Sequence, residues 1–210
     1  MSAVASAPAR DGRRLRGDAS RARILRRAME ICSTDGLDGL SVGRLAGDLG
    51  ISKGNITVLF GSKEQLQLAT LDAAEAVFRA HVVDEALAGP AGLPRLRSVC
   101  EHYVAYLEER VFPGGCFMAR TFAEARVLAP AVRERVVGMF VRWREFVGDL
   151  VRSAQRRGHL ATRGADELGL ELVALQQAAH LALALGDAAG FATARRAMFA
   201  CVSEAHEQRS

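Results

Sequence analysis

Six residues between positions 52 and 58 could together form a surface that recognises a base sequence in double-stranded DNA. All are short except one lysine: Ser52, Lys53, Gly54, Asn55, Thr57 and Val58. Small amides and hydroxyls form hydrogen bonds with base edges in the major groove, and a small apolar side chain can contact a thymine methyl group. For Val58 the alternative is a surface residue without a partner. If these side chains share one helix face, they offer binding to DNA rather than catalysis.

The surrounding apolar residues predict a helix, a tight turn and a second helix between Val42 and Phe60. Within each helix two apolar residues lie three or four positions apart, which places them on one face. They are Leu45 with Leu49, and Ile56 with Leu59. Gly50 between the helices can adopt the positive φ of a sharp helix-ending turn. Ser41 and Ser52 precede the two helices, as N-cap residues do.

Helices are also predicted on both sides of this pair. Apolar residues recur on one face of residues 18–34, and Ser62 with Gln65 has the spacing of a capping box that opens a fourth helix. The whole segment, residues 21–66, reads RARILRRAMEICSTDGLDGLSVGRLAGDLGISKGNITVLFGSKEQL. It resembles the N-terminal DNA-binding domain of the TetR (tetracycline-repressor-like) regulators. The segments PGGC, APAVRERV and RRGHL further along look like features of some TetR effector domains.

The resemblance implies an all-α protein of about nine helices. Its parts would be a disordered basic tail (1–17), a helix-turn-helix DNA-binding domain (18–64) and a helical effector-binding and dimerisation domain (65–210). The family commonly carries tyrosines where Thr57 and Leu59 stand, so tyrosine contacts with phosphate are not carried over. The residues expected at DNA are Arg44, Ser52, Lys53, Gly54, Asn55, Thr57, Val58 and Lys63.

The charge distribution agrees with a DNA-binding N-terminal end. Residues 1–63 contain 11 Lys and Arg against 6 Asp and Glu, whereas residues 64–210 contain 17 against 18. A basic excess attracts the phosphate backbone. The arginines of the first 17 residues could follow a minor groove or could belong to a solvated tail.

The last two predicted helices, residues 166–185 and 188–205, are apolar almost all round. In a chain of this size, such helices are usually buried on two sides, one of them against a partner. The resemblance implies a homodimer formed through these helices. The residues expected at the interface are Leu181, Leu185, Ala192 and Ala197.

A small-molecule pocket is a further expectation from the family. Large aromatic side chains with few polar groups are typical of such pockets. The candidates are Tyr103, Phe122, Trp143 and His180. The alternative for each is a place in the core, with its polar atom bonded to neighbouring backbone.

The sequence gives little support to other classes of function. It contains no phosphate-binding loop, nucleophile elbow or metal-ligand spacing, so we expect no enzyme, cofactor or metal site. No run of about 18 apolar residues occurs, which predicts no membrane span. Cys116 follows two glycines, where a helix N-terminus could lower its pKa and make it a redox sensor, or it could be a core residue.

We therefore expect a bacterial, cytoplasmic regulator, associated with the nucleoid when bound to DNA. It would bind a pseudo-palindromic operator as a homodimer and leave it when a small apolar or amphipathic effector binds, most often as a repressor. The alternative is a helical ligand-binding or scaffold protein whose helix-turn-helix no longer binds specific DNA.

Overall fold

The computed structural model describes residues 8–160 and 164–203, and in these ranges all regular structure is helical. The α-helices are α1 (Pro8–Asp35), α2 (Val42–Leu49), α3 (Lys53–Phe60), α4 (Lys63–Phe78), α5 (Glu85–Ala88), α6 (Leu93–Glu108), α7 (Phe117–Ala123), α8 (Pro130–Arg156), α9 (Ala165–Leu185) and α10 (Ala188–Cys201). A π-helical stretch, Arg79–Asp84, joins α4 to α5 without a break, and a 3₁₀ turn, Ala125–Val127, follows α7. With α4 and α5 counted as one helix, the described ranges contain nine helices, and the all-α prediction is confirmed.

Local capping sets the boundaries of α2, α3 and α4. The hydroxyls of Ser41, Ser52 and Ser62 accept hydrogen bonds from backbone N–H groups three residues on, at 3.1–3.2 Å. Each bond satisfies one of the N–H groups left free in a first helical turn. Gly50 ends α2 at a φ of 62°, in the left-handed region that glycine adopts without steric cost.

The first three helices bury a common core in which two of the four predicted apolar residues, Leu49 and Leu59, are only half-buried. Leu45 of α2 and Ile56 of α3 are completely buried. On α3 the second fully packed residue is Phe60, four residues after Ile56, whereas Leu59 is half-buried. The Arg21 guanidinium also lies over the Phe60 ring, with its Cζ atom 4.4 Å from the ring centroid. The larger ring therefore takes the place predicted for leucine.

Helix α1 begins earlier than the sequence predicted. It begins at Pro8, so the predicted disordered tail, residues 1–17, is corrected from residue 8 onward; residues 1–7 lie outside the described ranges. Proline is favoured in the first turn of a helix. The arginines, alanines and leucine that follow are good helix formers, which outweigh the two glycines Gly12 and Gly17.

Helices α6 to α10 form a larger bundle that α4 connects to the first three helices. Pro130 opens α8, since proline is favoured in the first turn of a helix. Helices α8 and α9 cross closely, because a Cβ atom on Gly169 would lie only 3.3 Å from the Cα atom of Gly148. Helix α7 is short: it ends at Ala123, and the N–H of Glu124 donates to the Thr121 carbonyl.

One helix among the described residues, α9, is long and apolar enough to cross a membrane, judged by length and composition alone. The prediction required an uninterrupted apolar run and missed this helix, because Gln176, Gln177 and His180 interrupt the run. Within the chain, 44% of its most apolar window is buried, and α9 packs between α8 and α10. Its composition therefore fits a helix buried on one side.

Candidate nucleic-acid interface

One face of α3 is directed away from the protein core. Lys53, Gly54, Asn55, Thr57 and Val58 are all exposed. The side chain of Val58 is the most exposed large apolar group described, at 86% of its possible area. Since this face includes an amide, a hydroxyl and a methyl-bearing side chain, it can form both polar and apolar contacts with base edges.

The polar groups on this face differ in whether they already form hydrogen bonds within the protein. The Thr57 hydroxyl donates to the Lys53 carbonyl at 3.1 Å, and the Ser52 hydroxyl accepts from the Asn55 N–H at 3.2 Å. The Asn55 side-chain amide forms no hydrogen bond within the described part of the chain. Asn55 is therefore the residue of α3 best prepared for a bidentate contact with a base.

The predicted cations fall into two groups. Arg44 forms an ion pair with Asp35, and the Lys63 ammonium lies 3.3 Å from the Asp38 carbonyl and 3.6 Å from its carboxylate. Lys53 has no ion pair among the described residues and lies at the exposed start of α3. Lys53 is thus free to approach phosphate, whereas Arg44 and Lys63 also tie the α1–α2 turn to its neighbours.

Two arginines of α1 bond to the ends of α2 and α3, and the sequence analysis did not predict these contacts. Arg21 donates to the carbonyl of Leu59 at 3.0 Å, and Arg23 donates to that of Leu49 at 2.9 Å. Both carbonyls lie in the last turn of a helix, where cations are favoured. A groove of about 320 Å³ runs between α1 and α3, and its lining includes Arg23, Asn55 and Val58. The basic repeat RARILRR was the only signal of these contacts.

Three of the four predicted ligand-binding residues meet inside the C-terminal bundle. Tyr103, Phe122 and Trp143 border a void of about 10 Å³, close to the room needed by one water molecule. The Tyr103 hydroxyl donates to the Gln176 carbonyl at 3.0 Å, and the Trp143 indole N–H donates to the Gln176 side-chain oxygen at 2.8 Å. Gln176 therefore organises the polar atoms here, and the void of about 10 Å³ is too small for an effector.

A larger cleft lies beside this void, between α4 and α8. It has a volume of about 500 Å³ and shares Phe78, Met118 and Trp143 with the void. The rings of Phe78 and Trp143 meet edge to face at 5.0 Å. The sequence prediction named only Trp143 from this cleft, because its other residues come from distant segments.

Charged side chains at the rim of this cleft neutralise one another. Glu75 of α4 pairs with Arg135 and Arg142 of α8, and Arg135 also pairs with Asp72. Burial raises the pKa of Glu75, but the hydrogen bonds from the two arginines outweigh it, and the net pKa lies below its usual value of 4.5. The cleft thus offers an apolar floor and a rim without a free charge.

His180, the fourth predicted ligand residue, belongs to a different place. Its Nδ1 atom accepts a hydrogen bond from the N–H of Cys116 at 3.1 Å, and it lines a groove near α1 rather than the aromatic void. Burial, reinforced by the positive charge of Arg120, lowers the pKa of His180. His180 therefore lies apart from Tyr103 and Trp143, and its ring holds the start of α7.

Cys116 is a buried N-cap rather than an exposed thiol. Its sulfur accepts from the N–H of Ala119 at 3.4 Å, yet burial dominates and raises the pKa of Cys116. Burial also raises the pKa values of Cys32 and Cys100 to about 12. Since a reactive cysteine needs an accessible thiolate, these surroundings favour the core role over the redox sensor.

An apolar stripe runs along the outer face of α9. Its members recur at spacings of three and four residues and are all exposed: Leu170, Ala174, Ala178, Leu181, Ala184 and Leu185. Leu181 and Leu185 expose 58% and 74% of their area. On α10, Ala192 lies opposite the buried residues Ala194 and Met198, whereas Ala197 lies beside them; both are half-buried. A continuous apolar face of this kind is typical of a protein–protein interface.

Two family models match the chain. The model described as "Tetracyclin repressor-like, C-terminal domain" matches residues 92–198, and that described as "Bacterial regulatory proteins, tetR family" matches residues 24–70. A comparison with curated proteins found no match.

Several solved structures are similar to this one over most of its length. A TetR transcriptional regulator from Chloroflexus aurantiacus J-10-FL is 28% identical, with a TM-score of 0.74, and the match covers 87% of this chain and 93% of that chain. A TetR-family regulator from Agrobacterium tumefaciens is 21% identical, with a TM-score of 0.79 and coverages of 89% and 99%. A putative transcriptional regulator from Saccharomonospora viridis, solved in complex with choline, is 20% identical, with a TM-score of 0.69 and coverages of 91% and 97%.

Proposed function

The chain belongs to the TetR family of bacterial DNA-binding transcriptional regulators, which are not enzymes, and from this we propose a specific mode of action. A homodimer of this chain would bind a pseudo-palindromic operator and repress transcription. A small apolar or amphipathic effector would release it. It would act in the cytoplasm, at the nucleoid while bound.

The observation that carries this proposal is the outward face of α3. Asn55 presents an amide without an internal hydrogen bond, and Val58 presents an apolar side chain to solvent. Exposing an apolar side chain this fully brings the isolated protein no stability, whereas contact with a thymine methyl group would bury it. We propose that Asn55, Thr57 and Val58 approach base edges. The proposed backbone contacts come from the rest of the interface: Arg44, Ser52, Lys53, Gly54 and Lys63.

Dimerisation through α9 and α10 would supply the second reading helix. The apolar stripe on α9 supports this step, because a two-fold axis would bury it against its own copy. A symmetric dimer requires two half-sites about one helical turn, or a multiple of it, apart.

The effector proposal rests on the cleft between α4 and α8. Its volume of about 500 Å³ suits a small molecule, and its aromatic floor with a neutralised rim suits an apolar or amphipathic one. The choline bound to the Saccharomonospora viridis protein shows that this fold can hold a small molecule. Release from DNA requires that the effector bind the DNA-free form more tightly than the DNA-bound form.

The experiment that tests the proposal compares two variants on two duplexes. Operator fragments are first selected from genomic DNA, and binding to the operator and to a scrambled duplex is then measured across a salt series. Asn55→Ala should cost about 1–3 kcal/mol on the operator and relax the preference at one base position in each half-site. Lys53→Ala should weaken binding to both duplexes alike. It should also reduce the slope of log affinity against log salt concentration by about one unit per reading head, which is the DNA-binding unit (α1–α3) of one protomer.

The matched pair separates base recognition from phosphate attraction, since both residues lie on the same helix. An equal loss on both duplexes for Asn55→Ala would falsify the assignment of α3 as the base reader. A wild-type protein that binds operator and scrambled duplex equally would favour the alternative of a scaffold with a degenerate helix-turn-helix.

A further inference from the structure

A carboxylate from the C-terminal bundle bonds to the turn between α1 and α2. Glu124, directly after α7, accepts a hydrogen bond from the N–H of Leu37 at 2.9 Å. The carbonyl of the same Leu37 accepts from the Gln67 side-chain amide of α4 at 2.8 Å. The two hydrogen-bonding groups of one residue in the N-terminal unit are thus fixed by two different helices outside it.

The local sequence is built to admit this carboxylate. Gly36 adopts a φ of +80°, and a Cβ atom at this position would overlap the Glu124 carboxylate. Leu37 is completely buried, and the Glu124 side chain is only 13% exposed. A charged acceptor in such a protected place forms a strong hydrogen bond with a backbone N–H. The same carboxylate also pairs with Arg120, four residues earlier, at 3.3 Å, so two groups hold it beside the turn.

A second contact lies next to the first. The N–H of Gly114, in the loop before α7, donates to the Ser33 hydroxyl near the end of α1 at 3.2 Å. The glycine is needed here as well, because a Cβ atom would overlap the Ser33 carbonyl. The segment from Gly114 to Glu124 therefore touches the end of α1 at both of its ends.

We propose that Glu124 is a positioning residue for operator binding, although it lies outside the DNA-facing surface. It holds the α1–α2 turn, and with it α2 and α3, at a fixed place on the C-terminal bundle. The inference rests on the proposed function, since only a dimer that reads two half-sites needs a fixed distance between its reading heads. Without the hydrogen bond, fewer molecules hold both heads at the operator spacing, and the apparent affinity falls by that fraction.

The test uses Glu124→Ala, Glu124→Gln and a control in the full-length protein. Glutamine keeps an oxygen that can accept from the Leu37 N–H, whereas alanine removes it. The control is Glu101→Gln on α6, where Glu101 forms an exposed ion pair with Arg97 at 3.4 Å. Each protein is measured on the selected operator, on an isolated half-site, and on operators with one base pair inserted or deleted between the half-sites.

We expect Glu124→Ala to weaken binding to the operator about tenfold or more, an effect of about 1.4 kcal/mol. Glu124→Gln should lose much less, and Glu101→Gln should match the wild type. Binding to the isolated half-site should stay unchanged, because α3 itself is intact. The penalty for altered spacing should shrink in Glu124→Ala, a result that general loss of stability would not produce. Melting temperatures identify any variant that is not folded.

Unchanged or tighter operator binding by folded Glu124→Ala would overturn the inference. So would a loss on the half-site as large as that on the operator, or an undiminished spacing penalty. If Glu124→Ala does not fold, Glu124→Asp carries the same test, since its shorter side chain keeps the charge but withdraws the carboxylate from the Leu37 N–H. A wild-type protein that does not distinguish operator from scrambled duplex would instead remove the proposed function.

Discussion

Glu75 shows how single residues join distant helices in this protein. It lies on α4 and accepts hydrogen bonds from Arg135 and Arg142 of α8, 60 and 67 positions away. Its pKa in the folded protein lies below the usual carboxyl value of 4.5. A lowered folded-state pKa means that the ionised carboxylate stabilises the fold above pH 4.5, and that this stability is lost as the pH falls through the lowered pKa.

We predict that Glu75→Gln lowers the free energy of unfolding at pH 7 by about 1 kcal/mol, a value reduced for its partial exposure. The difference from wild type should disappear in acid, where both side chains are neutral. Urea unfolding at a series of pH values measures this, with Glu101→Gln as the exposed control. A difference that persists unchanged below pH 4 would show that the arginine contacts do not depend on the charge.

At the scale of elements, α4 and α8 form the walls of the cleft, and the π-helical stretch lies at its edge. Phe78 ends α4, and Arg79 and Val83 of the π-helical stretch also line the cleft. Such stretches contain wider turns than an α-helix and are common at functional sites. A molecule bound here would touch the helix that continues to the DNA-binding unit.

A bulky side chain in the cleft should therefore block effector binding. Ala76 lines the cleft, whereas Ala80, one turn further, is exposed outside it. Compounds from an apolar and amphipathic library that quench Trp143 fluorescence should do so in wild type and Ala80→Phe but not in Ala76→Phe. Trp143 is the only tryptophan of the chain, so the signal is local. The cleft proposal fails if no compound changes the fluorescence, or if every active compound binds Ala76→Phe equally well.

At the scale of the whole molecule, the proposed dimer would cover the apolar stripe on α9. Leu181 lies within this stripe and is exposed in the single chain. Replacing it should leave the fold of one chain intact while introducing two like charges near a two-fold axis. Burying such unpaired charges costs several kcal/mol.

We predict that Leu181→Glu is a monomer at micromolar concentration, whereas the wild type is a dimer. The matched control is Val127→Glu, because Val127 is a similarly exposed apolar residue, at 78%, on the 3₁₀ turn. Sedimentation velocity of the three proteins measures the result, and operator affinity should fall with the dimer. A monomeric wild type, or a Leu181→Glu variant as dimeric as Val127→Glu, would contradict the interface.

The helices near the DNA-facing surface could be predicted from the sequence because their signals are local. An N-cap serine bonds a group three residues on, as Ser52 does with Asn55. The helix-ending glycine at position 50 and the buried Leu45 and Ile56 follow from the same short spacings. Such interactions act within one or two helical turns, so residue type and spacing suffice.

The sequence by itself therefore determined the family, the all-α fold and the helix that presents Asn55 and Val58. Only the tertiary structure decided which residues share a cleft and why His180 lies apart from the aromatic residues around the void. It also decided that Glu124 bonds to Leu37, 87 positions away. Partners that far apart meet only when the intervening helices pack in one particular arrangement. That arrangement depends on the sum of many weak side-chain contacts, which no short stretch of sequence contains.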